Sequence, residues 1–326
     1  MSWSLIDVRL WMIRYITSFI WAFGFSGNLI IIYVFTRKNF LRNSCVLYLL
    51  AASIINILSL SWGILQSLYN LDHIDPTTYS FVYCKLRQYI NHTLLMIGRS
   101  LIVFACIDRY AICNGSARFR SFCQPKLAIQ MIIAHIFIWP IITVHIAIEQ
   151  VLYQNQCIMT SPYIIIYGFY SAIVAGIIPP VLMTIFSLLT IRHRRELRTR
   201  LNAGRINSRN DHTFTIMLFS QVFVYIITTS LFPAITLYKA ITNTYIKSAR
   251  SLEIETFVNF FSTSFLVYLN PASALYVYIA SSKGFRKEFN AAFTNLSKRI
   301  IRRRIRVEPA RVLAHDIPLT IRNTDI

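Results

Sequence analysis

The sequence predicts an all-α membrane protein, a bundle of seven transmembrane helices followed by a short amphipathic eighth helix. Three observations predict it. First, the 326-residue chain is 55% hydrophobic and only 14% charged, whereas a soluble domain carries about 25% charged residues. Second, seven stretches are long and apolar enough to cross a bilayer, which takes roughly 20 residues; they fall at 11–35, 46–69, 81–110, 127–148, 163–191, 214–238 and 257–278. Third, the basic residues gather in alternate connections. Those after spans 1, 3, 5 and 7, together with Arg109 at the end of span 3, hold 25 of the 33 Lys and Arg side chains.

Excess Lys and Arg marks the cytoplasmic side of a membrane protein. With an odd number of spans, the N-terminus is expected outside and the C-terminus inside. The net charge of +20 is therefore a topology signal and not a nucleic-acid one. Each Lys or Arg near an anionic inner leaflet contributes about 1 kcal/mol, so anionic lipid is an expected partner. The expected organisation is an outer segment at 1–10, a helical domain at 11–281, an amphipathic helix at 282–294 and a basic tail at 295–326. Asp7, Arg9 and Arg14 interrupt the first residues and the apolar run continues for a full span, so span 1 is expected to be its own signal anchor rather than a cleaved leader.

Span 1 carries Gly27-Asn28, and span 2 opens on Tyr48-Leu49-Leu50 with Asn56 inside it. Asparagines at membrane depth bond to neighbouring helices, a modest stabilisation of about 0.6–2 kcal/mol. Span 3 starts near Cys84 and ends on Asp108-Arg109-Tyr110. The 25 residues from Cys84 to Arg109 rise about 37 Å as a helix, so the cysteine and the charged triad stand at opposite membrane faces. Arg99 falls near the midplane, where a charge costs about 2.5–3.5 kcal/mol and is a functional candidate by default. No acid is expected at its depth; Asn56, Asn270 and Ser100 are expected around it. Asn91-His92-Thr93 matches a glycosylation pattern but is expected inside the helix, unmodified.

Span 4 has Trp139-Pro140, span 5 has Pro179-Pro180 and span 6 has Pro233. Each proline removes a backbone donor and bends its helix. Span 7 has Asn270-Pro271, with Tyr276 and Tyr278 after it. In the segment that follows, Phe285, Phe289, Ala292 and Phe293 share one face, an interfacial amphipathic pattern. Cys157 lies between spans 4 and 5, on the same expected side as Cys84, where an oxidising exterior permits a bridge.

The joint order of Gly27-Asn28, Cys84, Asp108-Arg109-Tyr110, Cys157, Pro233, Asn270-Pro271 and Phe285-Arg286 resembles that of rhodopsin-like G-protein-coupled receptors. The chain also looks somewhat like invertebrate neuropeptide receptors of the FMRFamide-like group. The resemblance covers about residues 11 to 293 and implies a multi-pass plasma-membrane receptor, not an enzyme. It implies an extracellular ligand, a heterotrimeric G protein as partner, and no cofactor or metal. It implies a Cys84–Cys157 disulfide, Arg109 as the G-protein contact with Asp108 restraining it, and a switch core drawn from Asn56, Pro233, Asn270 and Pro271. Arg99 joins that core on the strength of its midplane charge. No acid occupies the inner end of span 6, so restraint of Arg109 is expected to fall to Asp108 alone.

Departures from the family pattern narrow the function. Asn56 stands where the family has a sodium-binding aspartate, and is expected to act instead as a hub with Asn28 and Asn270. Asn91 stands where amine receptors have an aspartate, so an ammonium ligand is disfavoured. Span 7 has no lysine for a retinal Schiff base. Leu231 replaces the family's span-6 tryptophan, leaving the Pro233 kink as pivot. Counting back from Phe285 puts Tyr278, rather than Tyr276, in the slot of the switch tyrosine. Gln88, Asn91, His92, Leu95 and Met96 are expected to line the ligand pocket, and the ligand is expected to be a peptide. Glu149, Glu253 and Glu255 are expected at the outer rim, where they could meet an arginine of that peptide. The alternatives are an odorant or other small-molecule chemoreceptor of the same fold, and a transporter. Against a transporter stand the odd span count and the lack of a repeat between the halves.

Overall fold

The computed structural model describes residues 4–38, 40–114, 117–200, 209–242 and 244–294. Seven long helices form one bundle: α1 Leu5–Phe35, α2 Ser44–Asp72, α3 Phe81–Cys113, α4 Pro125–Glu149, α5 Ser161–Glu196, α6 Thr213–Ile241 and α7 at 249–281. A further helix, α8, spans 283–294. The first six are long and apolar enough to cross a membrane by length and composition. Helix α7 is long enough but more polar, with Ser262, Thr263, Ser264, Asn270 and Ser273 along it. The basic run at 298–306 and the tail at 295–326 lie outside the described residues.

Helix α1 begins at Leu5, earlier than the expected 11, because polar contacts carry the helix past the apolar run. Ser4 and Asp7 form a reciprocal capping box, the arrangement that satisfies two orphan N–H groups at a helix start. Arg14 then pairs with Asp72 at 2.7 Å, and the Arg9 guanidinium lies 5.4 Å from the Phe260 ring.

Helix α3 is the central column, packed against α2, α4, α5 and α6. Helix α7 closes the ring against α1, α2 and α6. The largest core lies toward the Arg109 end and includes Phe35, Leu49, Leu101, Met183, Met217 and Leu218. Helix α4 is peripheral: only Ala128, Thr143 and Ile146 along it are buried. Its exposed isoleucines suit a lipid-facing helix, since lipid imposes no penalty on them.

The prolines act locally as their chemistry requires. A π-helical stretch, Ser171–Ile177, directly precedes Pro179-Pro180; its wider turns accommodate the two missing donors and the ring clash. In α6 the helix is interrupted at Ser230 and resumes with Pro233 in its first turn. There α5 and α6 touch closely, since a Cβ added to Gly176 would lie 2.5 Å from Pro233 Cγ.

Between α4 and α5 a β-hairpin pairs β1, Gln150–Tyr153, with β2, Gln156–Met159, in the register Leu152 to Cys157. Its turn residues Gln154 and Asn155 both have positive φ, 47° and 57°, the geometry of a tight hairpin turn. Cys157 is bonded to Cys84, so β2 is stapled to the start of α3.

Helix α8 follows a break at Ser282, whose Oγ accepts from Phe285 N at 3.2 Å. Phe285 is buried between Phe35 and Tyr278, at ring separations of 5.8 and 5.7 Å. Phe289 packs on the same core while Phe293 is largely exposed, so the expected apolar face is graded from buried to open along the helix.

Candidate functional site

At one end of the bundle, Asp108 and Arg109 form a buried ion pair, 5% and 2% exposed. Arg109 donates from Nη2 at 2.5 Å and from Nε at 3.2 Å to Asp108 Oδ2. Restraint does not fall to Asp108 alone, as the sequence suggested. Arg109 Nη2 also donates to Asn43 Oδ1 at 3.0 Å, and the guanidinium sits 5.9 Å from the Phe214 ring of α6. Ser44 Oγ donates to the other Asp108 oxygen at 2.5 Å. Asn43 and Ser44 stand here because they start α2: Asn43 is its N-cap, accepting from Cys45 N at 3.0 Å. An N-cap side chain is thus shared between a helix terminus and a guanidinium. The Cys123 thiol donates to the Asp108 carbonyl at 3.3 Å; burial and then the Asp108 charge push it up to about 12, so it stays a neutral donor. Tyr110 is half-buried among Phe119, Phe186 and His193.

Midway along the bundle, Asn56 Nδ2 donates to Asn28 Oδ1 at 3.3 Å, and Asn28 Nδ2 donates to the Pro271 carbonyl at 2.9 Å. Asn270 does not join that hub. It faces α6, where Gln221 Nε2 donates to its Oδ1 at 2.8 Å. A small cavity of about 30 Å³ lies among Asn56, Arg99, Gln221, Asn270 and Tyr278. Tyr278 is buried, whereas Tyr276 is 41% exposed on the outside of α7 and bonds to the Phe23 carbonyl.

At the Cys84 end a cavity of about 780 Å³ opens between the hairpin, α3, α5, α6 and α7. Four of the five expected pocket residues line it: Gln88, Asn91, His92 and Leu95. Met96 does not. It is 1% exposed and lies off the Gln88–Leu95–Arg99 face of α3 that the cavity meets, and its Sδ lies 3.6 Å from Arg99 Nη1. Three lining residues are already held by tyrosines. Gln88 donates to Tyr167 Oη at 3.2 Å, Tyr268 Oη donates to Asn91 Oδ1 at 2.9 Å, and His92 Nε2 meets Tyr170 Oη at 3.3 Å. Sequence reasoning missed Tyr268, Gln221, Asn43 and Ser44; the polar pair at the start of span 2 was the one visible signal.

The acidic rim expected from sequence is not available as such. Glu255 is buried in an ion pair with Lys247, Glu149 accepts from Thr160, and Glu253 is exposed away from the cavity lining. Arg99 lines the large cavity and the small one below it. Neither Asn56 nor Asn270 bonds to it, and Ser100 bonds instead to Trp139 and to the Ile97 carbonyl.

A column that runs from a ligand-sized cavity to a buried Asp-Arg pair invites comparison with known receptors. The family model for the 7 transmembrane receptor (rhodopsin family) matches residues 27–273. The chain belongs to this family. Comparison with curated proteins gives no match. As a rhodopsin-family receptor it is a multi-pass membrane protein, and the matched segment contains Asn28, the disulfide, the Asp108-Arg109-Tyr110 triad and Asn270-Pro271.

Proposed function

We propose that this receptor resides in the plasma membrane, binds an extracellular peptide in the 780 Å³ cavity and activates a heterotrimeric G protein at the Arg109 end. In this reading the N-terminus is outside, the basic loops face the cytoplasm, and anionic lipid meets them there. The observation that carries the proposal is the Arg109 guanidinium, buried and held by Asp108 and Asn43 at the end of α3 opposite the cavity. A planar cation with several donors can exchange one set of acceptors for another. Ligand binding favours the arrangement in which it does so, a shift between existing states driven by differential affinity.

Pro233, facing Gly176, is the pivot for α6. Gln221–Asn270 is the α6–α7 contact that must rearrange, with Asn56, Pro271 and Tyr278 flanking it. Gln88, Asn91, His92 and Leu95 are the ligand contacts on α3. The cavity volume lies within the range of small-molecule sites, about 300–1,000 Å³, which favours a small-molecule chemoreceptor as the second reading. The test is G-protein nucleotide exchange in membranes bearing the chain, against panels of neuropeptides and odorants, with Arg109→Ala as control. Ligand-stimulated exchange that vanishes in Arg109→Ala is expected. Ligand-driven flux without exchange would overturn the reading in favour of a transporter.

A further inference from the structure

We propose that the cavity holds its ligand by a carboxylate seated on Arg99. The inference rests on the receptor reading above for the direction from which the ligand enters, and it specifies the ligand's chemistry.

Arg99 is 6% exposed and lines the cavity floor. Its protein partners are soft ones: the Met96 sulfur at 3.6 Å and the Tyr225 ring at 5.7 Å from the guanidinium carbon. Among the described residues no carboxylate forms an ion pair with it. A guanidinium does not deprotonate in a protein, so it cannot escape the cost of burial by neutralising, as a lysine can. A buried charge is ordinarily paired, and here no described residue supplies a counter-ion. The wall above adds Lys239 and Lys247 against the single carboxylate of Glu255, which Lys247 already engages. Three cations facing one acid make the cavity an anion site, opposite in sign to the acidic rim expected from sequence.

The anion is a carboxylate on chemical grounds. A planar two-oxygen group matches the guanidinium fork bidentately, and Leu95, Phe232 and Val267 offer apolar wall beside it for an alkyl or aromatic body. Arg99 also borders the small cavity of Asn270 and Gln221. A carboxylate drawing the guanidinium upward would therefore be felt at the α6–α7 contact.

Two sources carry this group: a small organic acid, and the free C-terminus of a peptide. Thermal melting of the purified full-length receptor separates them, with octanoate against octanamide in one arm and N-acetyl-Phe-Leu acid against its primary amide in the other. At least one acid is expected to raise the melting temperature by about 5 °C at a hundredfold excess over its Kd, with its amide inert. Which acid does so names the source. In Arg99→Gln the unliganded receptor should melt higher than wild type, because an uncompensated charge is gone, and the acid should lose its advantage. Arg99→Lys should retain part of it. Equal effects of acid and amide in both arms, including no effect, overturn the proposal, as does an acid preference that survives Arg99→Gln. The assay contains no G protein, so failure of the coupling reading leaves this result standing, and the converse holds too.

Discussion

Cleaving the Cys84–Cys157 bond should cost this receptor several kcal/mol, and the chain carries its own reporters for the loss. The bridge spans a sequence separation of 73 residues. In the chain-entropy treatment, a loop of that length removes about 15 cal/mol/K from the unfolded ensemble, or about 4.4 kcal/mol at 25 °C. That is an upper figure for a membrane protein whose helices stay inserted when the bundle opens. With α4 still formed, the tether from Glu149 to Cys157 is 8 residues, and the same treatment gives about 2.5 kcal/mol. A Cys84→Ser, Cys157→Ser receptor should therefore melt roughly 5–15 °C lower. Cys45 and Cys106 are 0% and 1% exposed, so with the half-buried Cys113 and Cys123 changed to Ser in both proteins, a thiol-reactive fluorophore reads the opening of the core. Reducing the wild type should reproduce the mutant curve. In the double mutant, residues 157–159 should also lose their defined position in the cavity wall, and with it acid binding. Superimposable melting curves for mutant and wild type would refute the reasoning, because they would mean that the hairpin is held in place without the bridge.

Two further predictions concern the same end of the bundle. A Cβ added to Gly63 would lie 1.8 Å from Tyr268 Oη and 2.3 Å from its Cζ, so Gly63→Ala must push the ring off Asn91; overpacking of about 1–3 kcal/mol plus a hydrogen bond of about 1 kcal/mol predicts a loss of about 2–4 kcal/mol, and Gly63→Ala with Tyr268→Leu should lose less than the sum of the two singles in a thermal-melt cycle. Asp75, in the α2–α3 connection, is held below the ordinary 3.8: burial would raise it, but the Thr77 backbone N–H and the Arg87 guanidinium outweigh burial. A depressed folded value means that its stabilisation is present above the unfolded value and is lost as pH falls through the folded one, so the amide protection of residues 73–80, relative to their intrinsic exchange rates, should be flat from pH 7 to 5 and fall only below about pH 4, whereas Asp75→Asn should lower it throughout.

The spans were legible because a bilayer forces its demand onto local composition: about 20 apolar residues must follow one another wherever a helix crosses. Even α7, the most polar of the seven, announced itself through Phe257–Tyr278 and its Asn-Pro pair. What the sequence hid was which distant polar atoms meet. Asn43 and Ser44 lie 66 and 64 positions before Arg109 and Asp108, and nothing in either segment encodes their meeting except that both are at the same end of adjacent helices. Gln221 and Asn270 meet through the rotation of α6 about its axis, which its scattered Thr, Ser and Gln side chains do not reveal. Met96 was misassigned for a related reason: the cavity follows α3 through Leu95 and Arg99, and Met96, one position on from Leu95, turns off that face. The hairpin was missed because its strands are four residues each and its Gln154-Asn155 turn lacks the glycine that usually marks one.

The proposed release of Arg109 from Asp108 onto a G protein can be tested before any ligand is known. Asp108→Asn keeps the shape but removes the charge that Arg109 faces at 2.5 Å. Charge-assisted bonds contribute about 1.5–3 kcal/mol, so the released state should gain roughly 10- to 150-fold in population, at about 1.4 kcal/mol per decade. Ligand-free nucleotide exchange should be measured in membranes carrying equal amounts of wild type, Asp108→Asn, and Asp108→Asn with Arg109→Ala. Exchange well above wild type is expected in Asp108→Asn, with a return to the vector background in the double variant. Exchange in Asp108→Asn no higher than wild type, or raised exchange that persists without Arg109, would contradict it.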